Sequence, residues 1–180
     1  MSRVGTHHRL AVRHCHDCGH GSTRTNPRSE ASAQQEGCKV KPKILTPNVS
    51  VLGQPEIADI EALAAAGYRS IIGNRPDGET PDQPSWTALK AAAAKFGIEA
   101  VQIPVVASNI SADDIERFRQ ALETLPKPIA AFCRTGTRSA LLWAFANEAG
   151  LTVDERIKIA ADEGIDLEPF RDRLSGGVDA

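Results

Sequence analysis

Cys133 closes an apolar run, Pro128-Ile-Ala-Ala-Phe132, and opens Cys133-Arg-Thr-Gly-Thr-Arg138-Ser139, after which helix-forming residues begin at once. That order reads as strand, tight loop, helix. A thiol so placed is ringed by the backbone N–H groups of Arg134, Thr135, Gly136, Thr137 and Ser139 and faces a helix N-terminus, with two guanidinium groups beside it. Such surroundings favour an anionic sulfur, and the same donors can grip a tetrahedral anion. The chemistry on offer is a thiolate nucleophile in an oxyanion cradle. A lone cysteine at a strand end is commonly no more than a small buried hydrophobe. Here Gly136 and the two arginines weigh toward a reactive Cys133.

The rest of the composition narrows the chemistry. All five histidines (His7, His8, His14, His16 and His20) precede residue 21, so the body has none. Cys–His proteases, Ser-His-Asp hydrolases and His-ligated metal centres are thereby excluded from it. No metal and no cofactor is expected there. Cys15, Cys18 and Cys38 also lie near the N-terminus, leaving Cys133 alone in the body, which argues against a disulfide framework.

Residues 1–44 carry eight Lys/Arg against three Asp/Glu, whereas the remainder carries thirteen against twenty. An acidic body argues against nucleic acid as a partner. No apolar run approaches the ~20 residues of a membrane span, and the N-terminus lacks a secretory apolar region. The expectation is a soluble, cytoplasmic protein of about one domain, with a core built from Ala, Ile, Leu and Val because aromatics make up only 4% of the chain.

Residues 1–43 lack helical or strand periodicity and read as a disordered, basic extension containing His and Cys. Within it, His14-Cys-His-Asp-Cys-Gly-His20 holds one C-x-x-C, half of what a zinc ribbon needs. Residues 44–175 form the expected domain and 176–180 a tail.

From residue 48 the pattern becomes regular. Strands are expected at Val49–Leu52, Tyr68–Ile72, Ile98–Val106 and 128–132. Between them lie helices with stripes Ile57/Ile60/Leu63/Ala64, then Trp86/Leu89/Ala93/Phe96, then Ile115/Phe118/Leu122 after a Ser111 cap. A helix from about Arg138 to Glu148 follows, then one opened by the capping box Thr152-Val-Asp-Glu155. Leu167, Phe170 and Leu174 should tack the C-terminal segment onto the body. Alternating strands and helices predict an α/β fold: a central, mostly parallel sheet of four to five strands with helices on both faces.

In such sheets ligands bind beyond the carboxyl ends of the strands. Three loops should meet there: Asn74–Glu79, Val106–Asn109 and Cys133–Ser139. The first brings Asn74, a cation in Arg75 and a carboxylate in Asp77 within reach of an anion held by the third.

Several segments together resemble one bacterial family: Gly53-Gln-Pro, Gly67-Tyr-Arg-Ser-Ile-Ile-Gly-Asn-Arg-Pro-Asp-Gly-Glu79, Gln83-Pro84, Ile103-Pro-Val105 and Phe132-Cys-Arg-Thr-Gly-Thr-Arg-Ser-Ala-Leu-Leu-Trp143. This is the phosphatase-like domain found alone or fused in beta-lactamase-hydrolase-like proteins, whose fold is similar to that of dual-specificity tyrosine phosphatases. The resemblance spans about residues 44–175. It implies a cysteine-phosphatase-like fold and hydrolysis of phosphomonoesters, phosphotyrosine or small aryl phosphates, through a cysteinyl-phosphate. Cys133 would attack phosphorus while Arg138 and the amides of Arg134, Thr135, Gly136, Thr137 and Ser139 hold the oxygens, with Asn74 and Arg75 nearby. Asp77 is the nearest candidate acid by topology. The partner implied is a phosphorylated small molecule or protein.

Two alternatives stay open on the residues themselves. Cysteine phosphatases space cysteine and arginine by five residues. Here four intervene, Ser139 stands at the phosphatase position, and Phe132 replaces the usual histidine. Four is the spacing of rhodanese-type sulfurtransferases, whose cysteine carries a persulfide. A weakly catalytic anion-binding module is the third reading. Oligomeric state is not legible in the chain.

Overall fold

The computed structural model describes residues 40–176. The expected N-terminal extension with its C-x-x-C, and the tail beyond Gly176, fall outside the described residues.

Among the described residues, five short strands form one sheet in the order β1-β2-β5-β3-β4. They are β1 Lys43–Thr46, β2 Val49–Leu52, β3 Ser70–Gly73, β4 Glu99–Gln102 and β5 Ile129–Phe132. Only β1 runs antiparallel, to β2; β2, β5, β3 and β4 are parallel neighbours. β1 lies inside a stretch where no strand was expected. It is a four-residue edge strand with Leu45 buried and Ile44 58% exposed, so it offers no apolar run to read.

The described residues also form six α-helices: α1 Asp59–Ala65, α2 Trp86–Lys95, α3 Ala112–Thr124, α4 Thr137–Ala146, α5 Val153–Asp162 and α6 Arg171–Gly176. Side chains alternate across the sheet with period two and so divide between two cores. On one face Leu52, Ile71, Ala130 and Phe132 pack with Ile60, Leu63, Leu89 and Ala93 of α1 and α2. On the other, Val51, Ile72, Ile129 and Ala131 pack with Phe118 and Leu122 of α3 and Leu141 and Leu142 of α4. Strands buried on both faces read as continuous apolar runs. That is why β5 appeared so clearly as Ile-Ala-Ala-Phe.

Local signals place the helices. Ser85 caps α2 by accepting from the Ala88 amide. Ser111 and Asp114 form a capping box on α3, as do Thr152 and Glu155 on α5. Leu167 and Leu174 are buried against the larger core, with Phe170 packed on it. Two stripe residues differ from expectation. Ile57 is 47% exposed because α1 starts only at Asp59, and Phe96 is 42% exposed because it lies past the end of α2.

The third expected strand shortens to Glu99–Gln102. Pro104 has no N–H for the ladder. The chain stays tied to its neighbour nonetheless, with Ile103 N donating to Gly73 O at 2.9 Å and Val105 N to Asn74 O at 3.1 Å. Those two bonds hold the start of the 105–109 segment beside the end of β3.

Gly73 allows a close approach on the opposite face. A Cβ there would sit 2.8 Å from Cζ3 of Trp86, whose ring lies tilted 6.4 Å from that of Phe132. Among the described residues no helix is long and apolar enough to cross a membrane.

Candidate active site

Cys133 follows the last residue of β5 and is 1% exposed. The Gly136 amide donates to its sulfur at 3.1 Å. Gly136 is also the residue before α4 and adopts φ +96°, a left-handed conformation that costs a residue with a Cβ about 1–2 kcal/mol. A Cβ there would moreover meet the Leu52 carbonyl oxygen at 3.4 Å. Since α4 starts at Thr137, its first-turn amides have no intrahelical acceptor, and the helix presents its positive end to the loop.

The loop is held from both sides. Cys133 N donates to Leu52 O at 3.4 Å, Gln54 N to Arg134 O at 3.3 Å, and Asn74 N to Phe132 O at 2.8 Å. Thr135 and Thr137 join their hydroxyls at 3.2 Å.

Arg138 leaves the first turn of α4 and is 13% exposed. Its Nη1 and Nη2 donate to the two oxygens of Glu79 at 2.6 and 2.9 Å, and Nη1 also donates to Val105 O at 2.9 Å. A guanidinium has five N–H groups. Three are thus engaged, leaving Nε and one N–H of Nη2, the side-on edge, without an acceptor among the carboxylates and carbonyls described. The Glu79 carboxylate raises the Arg138 pKa most. Cys133 acts in the same direction, which puts it within electrostatic reach of the guanidinium.

Glu79 is in turn held by Arg75, whose Nε donates at 2.8 Å. The Arg138 hydrogen bond, opposed by desolvation and reinforced by Arg75, lowers the Glu79 pKa to about 2. Arg75 is 5% exposed and also donates to Gln54 Oε1 at 3.3 Å and Thr80 Oγ1 at 3.1 Å.

The remaining predicted residues fall in different places. Asn74 is fully buried; its amide donates to Ile103 O at 3.0 Å and its oxygen accepts from Ser139 Oγ at 2.8 Å. Ser139, equally buried, thus braces α4 against the end of β3. Asp77 accepts from the Trp86 amide at 2.9 Å, so its carboxylate holds the start of α2. Arg134 is exposed and joins Glu79, Thr80, Val106, Ala107 and Arg138 around a pocket of about 370 Å³.

Glu79 is a neighbour of Arg138 and Arg75 that the sequence alone did not single out. Its signal was its position, four residues after Arg75 in the loop expected to face Cys133.

The family model described as "Beta-lactamase hydrolase-like protein, phosphatase-like domain" matches residues 42–150, most of the described body. The chain belongs to that family. The phosphatase-like domain is 39% identical over 122 residues to the beta-lactamase hydrolase-like protein of Agrobacterium fabrum, an alignment covering 68% of this chain and 26% of that one. The chain therefore spans about a quarter of that relative's length.

Among solved structures, the domain resembles that of a phosphatase candidate from Neisseria meningitidis Z2491, at 39% identity and TM-score 0.69, covering 74% of this chain and 95% of that one. It also shares the fold of the kinase associated phosphatase, at 15% identity and TM-score 0.56, covering 80% and 99%. The phosphatase-like domain therefore shares its fold with these proteins.

Proposed function

We propose that the domain is a Cys133-dependent hydrolase of phosphomonoesters, with phosphotyrosine or a small aryl phosphate as substrate. The observation that carries the reading is the Gly136 amide on the Cys133 sulfur at the amino end of α4, whose first turn also carries Arg138. The sulfur attacks phosphorus, a S–P bond forms, and the O–P bond to the leaving group breaks. Water then attacks phosphorus, the S–P bond breaks, and inorganic phosphate departs. Charge spread over phosphoryl oxygens calls for fixed donors. The free edge of Arg138 and the first-turn amides of α4 supply them. The kinase associated phosphatase, which shares the fold, has a catalytic-site cysteine.

The leaving group decides which esters react. Asp77 is bonded to the α2 amide and Glu79 to two arginines, so neither carboxyl is a ready proton donor. General-acid help is typically worth ~10²–10⁴-fold. Esters of phenols, whose anions leave unaided more readily than alkoxides, are the expected substrates. Cys133 is free and buried, which suits a reducing compartment such as the cytoplasm.

A second reading, sulfur transfer, is favoured by the same lack of a free acid and by the four residues between Cys133 and Arg138. There Cys133 attacks the outer sulfur of thiosulfate, the S–S bond breaks, and sulfite leaves as an anion needing no proton. The persulfide then gives its sulfur to an acceptor such as cyanide. The two readings separate in one experiment: p-nitrophenyl phosphate in one vessel, thiosulfate with cyanide in another. Phosphate release abolished by Cys133→Ser supports the first, and Cys133-dependent thiocyanate the second. Neither product, with tight phosphate binding, would reduce the domain to an anion-binding module.

A further inference from the structure

Away from Cys133, the guanidinium of Arg156 lies buried without a counter-charge among the described residues. Arg156 of α5 is 7% exposed and has no carboxylate partner among the described residues. Its Nε donates to Thr152 O at 3.2 Å and its Nη1 to Ala144 O at 2.6 Å, while Nη2 has no acceptor among the described residues. Burial lowers its pKa below the ordinary arginine value. Nη2, left without an acceptor among the described residues, is the atom that still reaches solvent. Burying most of a cation costs free energy unless it is paired. The carbonyls at the carboxyl end of α4 offset that only in part.

Arg156 borders an open surface pocket of about 420 Å³ lined by residues of α3, α4, α5 and α6, within the size range of small-molecule sites. Ile115, Phe145 and Leu174 give it an apolar lining, and Ala112 stands at its edge. Arg119, also on the lining, donates to Ala146 O and pairs with Glu116, which neutralises that acid. Arg173 lies 5.5 Å from the centroid of the Phe145 ring. The excess charge facing the pocket is positive. Binding the end of α4 accounts for Arg156 Nη1, but not for Nη2 or for the apolar space beside it.

We propose that this pocket binds an apolar organic carboxylate, with the carboxylate on Arg156 Nη2 and the hydrocarbon or aryl body against Ile115, Phe145 and Leu174. The site is separate from Cys133 and does not depend on which reaction that residue performs.

Titration calorimetry of the full chain with 4-phenylbutyrate, and with 4-phenylbutanol as its neutral counterpart, tests this. Saturable binding of the acid, at least about tenfold tighter than the alcohol, is expected; tenfold corresponds to ~1.4 kcal/mol. Ala112→Phe fills the pocket from the exposed first turn of α3, and Arg156→Met removes the cation. Each should weaken the acid by about tenfold or more. Arg138→Met, which alters only the Cys133 site, should leave the affinity unchanged. Should Arg156→Met fail to fold, Ala112→Phe carries the test. The proposal is overturned by no saturable binding, by equal affinity for acid and alcohol, by binding that survives Ala112→Phe, or by binding lost in Arg138→Met.

Discussion

Arg138 and Glu79 meet end-on, two nitrogens to two oxygens at 2.6 and 2.9 Å, although 59 residues separate them in the chain. The pair joins the loop after β3 to the first turn of α4. It fixes the guanidinium plane while leaving Nε and one N–H of Nη2 without an oxygen acceptor among the described residues. In the proposed reaction Arg138 is the oxyanion donor, and its orientation is set before any anion arrives. The cost of ordering a long side chain is met in folding.

Glu79→Gln should therefore reduce kcat/KM by roughly 10- to 100-fold, since a misplaced catalytic group costs on that order. Steady-state kinetics on an aryl phosphate, or on thiosulfate with cyanide, reads this out. Unchanged kinetics would show that Arg138 finds its place without Glu79.

The same pair predicts a pH signature in stability. Glu79 has a folded-state pKa of about 2 against an ordinary value of 4.5. A depressed carboxylate pKa contributes stability that is fully present above the unfolded-state value and is lost as pH falls through the folded-state value. The difference in Tm between wild type and Glu79→Gln should be constant from neutrality down to about pH 5 and narrow between about 4.5 and 2. Measuring the difference cancels the other carboxylates. A difference that persists undiminished to the acid end would contradict the assignment.

Arg138→Lys should remove most activity, by ~10²-fold or more, because an ammonium point charge supplies neither the end-on pair nor the side-on edge. Near-normal turnover in that variant would refute the role given to Arg138.

Asp77→Asn keeps an oxygen that can accept from the Trp86 amide. Turnover of p-nitrophenyl phosphate should stay close to wild type, and the pH–rate profile should keep its shape. A loss of ~10²-fold would make Asp77 the general acid after all.

Gly136→Ala should destabilise the fold by about 1–2 kcal/mol, the cost of a left-handed conformation for a residue with a Cβ. Urea unfolding measures it. Alkylation of Cys133 by iodoacetamide at neutral pH should change in the same variant, since the Gly136 amide is the donor on the sulfur.

Much of this was legible in the sequence because the signals were local. β5 shows as an apolar run, since parallel strands are buried on both faces. The loop announces itself through Cys133, Gly136 and Arg138 within six consecutive positions. Helix starts at Ser111 and Thr152 follow from capping chemistry. What the sequence hid was tertiary. Nothing in the string shows that Asn74 turns inward to Ser139 and Ile103, or that Arg75 is enclosed by Glu79, Gln54 and Thr80. Polar residues in a turn-rich loop look alike until the fold assigns their partners. Edge strand β1, with one buried side chain, gave no periodicity to find.

The central claim is that the Cys133 sulfur is the group that accepts the transferred atom. Acid-quenching the protein during turnover, then sequencing its peptides by mass spectrometry, tests this most directly. The prediction is one added phosphoryl group on the Cys133 peptide from an aryl phosphate, or one added sulfur from thiosulfate, and neither in Cys133→Ser. Undiminished turnover by Cys133→Ser, with no adduct on the wild-type peptide, would contradict it.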